Sequence, residues 1–219
     1  MTQVPTNVAV LVSGRGSNLD ALARAAAKKA FPARIAIVVS NRRSAPALAL
    51  ARDRGLATLA MPQSEHGNDP VARDRAMLGV LRDNQVRLVV CAGYDRILSE
   101  EVLAAYDDAI LNVHPSLLPA FGGGMHAIEE ALAAGVKVTG CTVQLLEPGV
   151  ADGGPIVLQE PVPVLDDDDA ESLRARVHEA EWRLLPSAVE LWCTGRLQRE
   201  GRRVRIVDAP GSRSVKGAA

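Results

Sequence analysis

Three polar side chains in the second half of the chain have the chemistry needed for acyl transfer. Asn112 and His114 lie in "AILNVHPSLLP" (109–119), and Asp152 lies in "EPGVADGGPIVLQ" (147–159). A carboxamide can donate hydrogen bonds to a developing oxyanion, and an imidazole can supply or relay a proton. A carboxylate can orient that imidazole and hold it protonated. We therefore predict that Asn112, His114 and Asp152 are catalytic.

The spacing of Asn112 and His114 supports a shared role. Side chains two residues apart in a strand point to the same face, and Pro115 ends regular strand pairing directly afterwards. The two side chains are therefore expected side by side at the end of a strand. Polar residues before a proline, and a "DGGP" segment, are also typical of ordinary loops and turns. The prediction thus requires that Asp152, 38 residues further along the chain, comes close to His114 in the fold.

A glycine loop near the N-terminus predicts a phosphate site. "LVSGRGSNLDAL" (11–22) passes from an apolar run through Gly16, Ser17 and Asn18 into a helical pattern. Glycines allow close backbone approach, and a helix N-terminus offers free N–H groups to an anion. The loop lacks the Lys-Ser/Thr pair of a P-loop, and Leu19 occupies the third glycine position of a dinucleotide fingerprint. A monophosphate ligand is favoured, and a tight strand-to-helix turn is the plainer alternative.

The elements that must position these residues alternate between two patterns. Short apolar runs predict buried parallel strands at 8–12, 34–40, 86–93 and 109–113. Helical patterns lie between them at 17–30, 44–55 and 69–84, with Gly55 after the second and Asp69-Pro70 opening the third. This alternation predicts an α/β fold with a doubly wound, mostly parallel sheet.

The C-terminal part has a different pattern. A helix at 126–135 is followed by two successive strands at 138–146 and 155–164, so this portion of the sheet is expected to be partly antiparallel. A long helix should begin at Asp168, with Asp168 and Glu171 forming a capping box and Pro186 producing a kink. The basic segment 201–210 predicts a short edge strand.

The overall composition excludes several classes of function. The 219 residues are 47% hydrophobic and 3% aromatic, with a formal net charge of −1, so neither nucleic acid nor a membrane surface is an expected partner. The three cysteines form no CxxC pair and are interpreted as core residues, and no metal is expected. Without a charged leader or a membrane-length apolar run, the protein is expected to be cytoplasmic.

Four motifs together resemble the folate-dependent formyltransferases. "SGRGSNL", "AGYDRILS", "LNVHPSLLPAF" and "DGGPIVLQ" occur in that family's order and spacing, with similarity from about residue 7 to about residue 200. The loop "GxGSNL" after the first strand is similar to the corresponding loop in the branch of the family that acts on glycinamide ribonucleotide. The resemblance implies a Rossmann-like formyltransferase domain over residues 1–200 and a basic strand and tail over 201–219.

The resemblance also implies a reaction and its ligands. The formyl group of the co-substrate 10-formyltetrahydrofolate would pass to the amine of glycinamide ribonucleotide, a step of purine synthesis that needs no metal. Gly16, Ser17 and Asn18 match the loop that holds the ribonucleotide phosphate, and Glu181 matches the acidic residue that binds the ribose hydroxyls. The implied folate-binding residues are Cys91, Tyr94, Arg96, Ile97, Leu98, Leu103, Val150 and Ala151.

Several positions depart from the family pattern. Asp95 replaces an uncharged residue, often Met, and two alternatives stay open: its carboxylate points to solvent, or it alters folate affinity. Gln144 replaces a frequent His, and Gly122–Gly124 is expected to make its loop more mobile. His126 aligns only approximately with a loop histidine of the family.

Rival functions are weighed on the same residues. A methionyl-tRNA formyltransferase would carry a further C-terminal domain, and a formyltetrahydrofolate hydrolase an extra N-terminal one; neither is expected here. A nucleotide-binding module without catalysis would not need Asn112 beside His114, and a nicotinamide-dependent dehydrogenase would need the complete glycine fingerprint. The oligomeric state stays open, with a homodimer as one alternative.

Overall fold

The sheet of this protein has nine strands in the order β3-β2-β1-β4-β5-β6-β7-β9-β8. The computed structural model describes residues 4–149 and 152–208. The strands are β1 Thr6–Val12, β2 Ala33–Ser40, β3 Thr58–Ala60, β4 Leu88–Cys91, β5 Ile110–His114, β6 Val138–Leu145, β7 Ile156–Pro163, β8 Leu197–Glu200 and β9 Arg203–Ile206. The helices are α1 Ser17–Ala26, α2 Pro46–Asp53, α3 Pro70–Asp83, α4 Glu100–Ala105, α5 Ala127–Ala133 and α6 Ala170–Cys193, with a short 3-10 helix at Gln63–His66.

Parallel pairing joins β3, β2, β1, β4 and β5, whereas β6 is antiparallel to both β5 and β7. The predicted α/β class, with a mostly parallel sheet and a partly antiparallel C-terminal portion, is therefore confirmed. The carboxyl ends of parallel strands meet at one edge of a sheet, which is where ligands bind in such folds. The loops after β1, β4 and β5 all leave from that edge.

Alternate residues of the central strands fill two hydrophobic cores. Val8 and Val10 of β1 pack in one cluster with α1, α2 and α6, while Ala9 and Leu11 pack in the other with α3 and α4. The sheet is thus covered on both faces, and this explains why its central strands are continuously apolar. Cys91, Cys141 and Cys193 are all buried and unpaired, in agreement with their interpretation as core residues.

Three details of the sequence prediction are wrong. Asp169 caps α6, its side chain accepting from the backbone N–H groups of Glu171 and Ser172, so the capping box is Asp169–Ser172. Asp168 cannot act as the cap because its carboxylate pairs with Arg176 and accepts from the Leu165 N–H.

The C-terminal strand β9 is internal to the sheet, since β8 pairs with it and forms the edge. Helix α1 ends at Ala26, short of residue 30. Helix α6 continues through Pro186, and a kink there stays a prediction.

Candidate active site

The three predicted catalytic side chains meet at the end of β5. The Asp152 carboxylate accepts from Asn112 Nδ2 at 3.4 Å, and its other oxygen lies 3.4 Å from His114 Nδ1. Asn112 and His114 therefore share a face of β5, as their spacing predicts. His114 is 5% exposed and Asp152 is partly exposed, so solvent reaches the cluster at Asp152. The fold thus brings residues 114 and 152 close together, although they are far apart along the chain.

Both nitrogens of His114 face acceptors. Nε2 lies 2.9 Å from the carbonyl oxygen of Phe121, which can only accept, so this nitrogen carries a proton. Nδ1 faces the carboxylate of Asp152 and can donate to it only if it is protonated as well. Both ring nitrogens of His114 thus face oxygen acceptors.

A second carboxamide holds Asp152 from the neighbouring strand. Strand β6 is antiparallel to β5, and its register places Gln144 directly opposite Asn112. Gln144 is fully buried, and its Nε2 donates to Asp152 Oδ1 at 3.1 Å. Asn112 and Gln144 thus donate to the same carboxylate oxygen, which orients Asp152.

The glycine-rich loop also contacts Asp152. The backbone N–H of Gly123 donates to Asp152 Oδ2 at 2.9 Å. A Cβ at Gly122 would lie 2.9 Å from Leu118 and 3.4 Å from the Asp152 Cβ. Glycines therefore allow this backbone to approach the carboxylate closely. Whether the loop is more mobile than in relatives stays a prediction.

The predicted phosphate loop forms the start of α1. Gly16 adopts φ +85° at the N-cap, and a Cβ on it would lie 2.7 Å from the Ala47 Cβ, so the turn requires glycine both for its conformation and for its packing. Ser17 is the first residue of the helix. The Asn18 side chain does not face outward: its Nδ2 donates to Glu181 Oε2 at 2.8 Å. An anion here would be bound chiefly by backbone N–H groups.

Glu181 and its surroundings border this loop. Glu181 is 3% exposed on α6, and burial raises its pKa to about 7 against the lowering effect of the Asn18 amide. One turn earlier on α6, burial and the positive charges of Arg174 and Arg15 lower the pKa of His178. The loop end of α1 therefore combines helix N–H groups, a nearby positive charge and a carboxyl that is poised to titrate.

The predicted folate residues fall into two groups. Arg96, Ile97 and Leu98 line a cavity of about 440 Å³ that also borders Arg73 and Asp74 of α3. Cys91 and Leu103 belong to the hydrophobic core instead, with Tyr94 packed partly against it, and burial raises the pKa of the Cys91 thiol to about 12. A larger cavity of about 530 Å³ between α1 and α6 is lined by other residues, among them Phe31 and Trp182. Val150 and Ala151 lie outside the described residues.

Asp95 is not directed to solvent. Its side chain is 15% exposed and accepts from Asn41 Nδ2 at 2.8 Å, and it pairs with the Arg42 guanidinium. The first of the two alternatives for this residue is therefore wrong.

Comparison with known proteins identifies the family of this chain. A sequence model of the formyl transferase family matches residues 6–189. The phosphoribosylglycinamide formyltransferase of Mycobacterium tuberculosis is 40% identical over 208 residues, which cover 92% of this chain and 94% of that protein. The chain belongs to the phosphoribosylglycinamide formyltransferases.

Other relatives include longer proteins and solved structures. The trifunctional purine biosynthetic protein adenosine-3 of Gallus gallus is 42% identical over 191 residues, and the matched region spans only 19% of that protein. The crystal structure of glycinamide ribonucleotide transformylase 1 from Symbiobacterium toebii superposes with a TM-score of 0.90 at 44% identity, covering 93% of this chain and 95% of that one. The fold of this formyltransferase is thus the fold of its relatives.

Several residues of the formyltransferase site were not predicted as such from the sequence. Gln144, Phe121 and Gly123 all contact the candidate catalytic cluster, and two of them do so through the backbone. A backbone contact leaves no signal in side-chain type. Gln144 stands out in the sequence as a departure from the family pattern, but its contact with Asp152 depends on the antiparallel β5–β6 register.

The described residues contain neither a group of metal ligands nor a helix that could span a membrane. Within residues 4–149 and 152–208, no three His, Cys, Asp or Glu side chains are grouped as metal ligands would be. Over the same part of the chain, each helix is too short or too polar to span a bilayer.

Proposed function

We propose that this chain transfers the formyl group of 10-formyltetrahydrofolate to the amine of glycinamide ribonucleotide, as part of purine biosynthesis. The observation that carries the proposal is the convergence of Asn112 and His114 on Asp152 at the carboxyl end of β5. The loop after β1 leaves from the same edge of the sheet, two strands away. At a strand spacing of about 4.8 Å, this is a separation of about 10 Å between strand axes.

That separation suits a ribonucleotide lying along the edge of the sheet. Its phosphate would accept from backbone N–H groups at Gly16 and Ser17, and its ribose hydroxyls would bond to Glu181. The glycinamide amine would then reach toward Asn112 and His114. The folate would lie against Arg96–Leu98, where the cavity of about 440 Å³ opens. Holding two substrates in this order would supply much of the acceleration.

The chemistry follows from the donors and acceptors in the cluster. The neutral amine attacks the formyl carbon, and the carbonyl oxygen becomes an alkoxide that accepts from Asn112 Nδ2 and protonated His114. The folate N10 leaves with a proton from His114 as the carbon–nitrogen bond breaks. The amine gives up one proton, which Asp152 accepts directly or through water. The products are formylglycinamide ribonucleotide and tetrahydrofolate.

The long contacts of the cluster fit this sequence of events. The two contacts that the reaction must open, Asn112 to Asp152 and His114 to Asp152, are both 3.4 Å, longer than the 3.1 Å and 2.9 Å bonds from Gln144 and Gly123. Catalytic hydrogen bonds are often long before substrates bind. The formyl oxygen would replace the carboxylate as acceptor, while Gln144 and Gly123 keep Asp152 in place.

The function carries further expectations about partners and location. Both substrates are small molecules, so the enzyme would need neither nucleic acid nor a membrane and would act in the cytoplasm. A homodimer remains one alternative, and the molar mass measured by light scattering distinguishes it from a monomer.

An assay with purified protein tests the reaction. Release of tetrahydrofolate should require both 10-formyltetrahydrofolate and glycinamide ribonucleotide. Release without the ribonucleotide would indicate hydrolysis and contradict the proposed transfer. Binding of ribonucleotide without any release would favour the non-catalytic alternative.

Two variants test the assigned roles. Asn112→Ala removes one oxyanion donor and should lower kcat by about 10²- to 10³-fold. His114→Ala should abolish measurable turnover while ribonucleotide affinity, measured by calorimetry, stays within about threefold. Turnover that persists in His114→Ala would show that the role given to His114 is wrong.

A further inference from the structure

Asp95 closes a ring of hydrogen bonds that joins two loops of the site. Asn41 Nδ2 donates to Asp95 Oδ1 at 2.8 Å, and Ser13 Oγ donates to Asn41 Oδ1 at 2.6 Å. The Asp95 backbone N–H in turn donates to Ser13 Oγ at 2.9 Å. Each group has one defined donor or acceptor role, so the ring fixes both the amide orientation of Asn41 and the hydroxyl proton of Ser13.

The three members of the ring come from three adjacent strand ends. Ser13 directly follows β1 and precedes the phosphate loop, whereas Asp95 lies after β4 and precedes the folate segment Arg96–Leu98. Asn41 directly follows β2. Ser13 and Asn41 are buried, so water competes poorly for these bonds. The ring therefore connects the backbone that would hold one substrate to the backbone that would hold the other.

The folate segment is also held at its far end. The Ser99 N–H donates to Asp74 Oδ2 at 2.6 Å, and Asp74 is fully buried beside the buried Arg73 guanidinium. Between the two attachments, Ile97 is 83% exposed. A segment fixed at both ends and open in the middle has a defined position relative to the sheet edge.

The ion pair of Asp95 with Arg42 does not explain this arrangement. The Arg42 side chain is 52% exposed, and exposed ion pairs contribute little because solvent screens them. The same holds for Arg96, whose guanidinium is 3.7 Å from Asp95 and half-exposed. The buried part of the network is the ring itself.

We propose that Asp95 is a positioning residue that fixes the distance between the ribonucleotide loop and the folate segment. This inference rests on the proposed function. Since small displacements between two reacting groups reduce rate steeply, loss of the ring should lower kcat more than it weakens either substrate alone.

Four variants distinguish the contribution of the hydrogen-bonded ring from that of the charge on Asp95. Asp95→Ala opens the ring, and Asn41→Asp puts two carboxylates at hydrogen-bond distance. The double variant Asn41→Asp/Asp95→Asn restores the ring with donor and acceptor exchanged, because Ser13 Oγ and the new amide can each donate to the carboxylate at position 41. Arg42→Gln removes only the exposed ion pair and is the matched control.

The expected result is a split between turnover and binding. Asp95→Ala and Asn41→Asp should each lower kcat by about 10- to 100-fold, with the affinity for each substrate alone changed less than about threefold. The double variant should recover most of the kcat lost in Asn41→Asp, and Arg42→Gln should resemble the parent protein. A double variant no better than Asn41→Asp, or an unchanged kcat in Asp95→Ala, would overturn the proposal.

Hydrogen exchange gives a second readout that does not require activity. The backbone amide at position 95 should exchange faster in Ser13→Ala, which loses the acceptor, and in Asp95→Ala, which loses the orientation of that acceptor. In Arg42→Gln it should exchange more slowly than in either. Equal protection in all three would overturn the ring as a structural constraint. If the parent protein itself fails to transfer formyl groups, the proposed function is wrong, whereas exchange still decides whether the ring exists.

Discussion

At the scale of residues, the side chains of the candidate catalytic cluster converge on the Asp152 carboxylate. It accepts from Gln144 and Gly123 at 3.1 Å and 2.9 Å and lies 3.4 Å from donors on Asn112 and His114. Four donors around one carboxylate fix its position and orientation. Because the Gln144 carboxamide does not titrate, its own bond to Asp152 should not depend on pH.

A first prediction concerns Gln144. Gln144→Leu keeps the buried volume but removes the donor to Asp152, and a hydrogen bond to a charged group contributes about 1.5–3 kcal/mol. We expect kcat to fall about tenfold, with KM values changed less. Gln144→Glu keeps the shape but puts a second carboxylate beside Asp152, so a larger fall is expected. Wild-type kcat in both variants, measured in the transfer assay, would contradict a supporting role for Gln144.

At the scale of elements, the turn between β1 and α1 requires glycine at one of its two glycine positions. Gly16 has a left-handed conformation and no space for a Cβ beside Ala47, whereas a Cβ at Gly14 would meet nothing within 4 Å. The same short turn aims the N-terminus of α1 at the predicted phosphate. We therefore expect the close packing of α1 against α2 to influence binding of the predicted phosphate.

A second prediction tests this coupling. Gly16→Ala should lower the free energy of unfolding by at least about 1–2 kcal/mol from its φ alone, with a further loss from the contact with Ala47. It should also weaken binding of the ribonucleotide. Ala47→Gly in the double variant should recover only the steric part, which a double-mutant cycle by urea denaturation isolates. Gly14→Ala is the matched control and should leave stability nearly unchanged. Additive effects of the two substitutions at 16 and 47 would contradict the steric account.

At the scale of the whole molecule, the sequence predicts what depends on local pattern. Most of the strands and helices, the shared face of Asn112 and His114, and the α/β class follow from periodicity and from the strand–glycine–helix signal. The short elements β3, α4 and β8 are not predicted. The cap of α6 does not, because Asp166–Asp169 offers four similar candidates and only the tertiary contact with Arg176 occupies Asp168. The Asp95 ring depends on strand order, since Ser13, Asn41 and Asp95 are far apart in sequence.

The contact between Asn18 and Glu181 also belongs to this scale, because it joins residues 163 positions apart. Helix α6 returns across the sheet to the start of α1 and buries a carboxyl there. Burial raises the pKa of Glu181 to about 7, compared with an ordinary value of 4.5. The unfolded chain therefore binds fewer protons than the folded protein between about pH 4.5 and pH 7.

The sign of the pH dependence follows from that difference. As pH rises through this window, the free energy of unfolding should fall, because the unfolded state releases the Glu181 proton first. The full decrease in the free energy of unfolding is about 3 kcal/mol, reached above pH 7.

The variant Glu181→Gln removes this titration, so its stability should vary less between pH 5 and pH 8 than that of the parent protein. Glu179→Gln, an exposed position on the same helix, is the matched control and should retain the parent's pH dependence. Urea denaturation of the unliganded proteins at both pH values measures the difference. Identical pH dependence in the two variants would mean that Glu181 ionises as freely in the folded protein as in water.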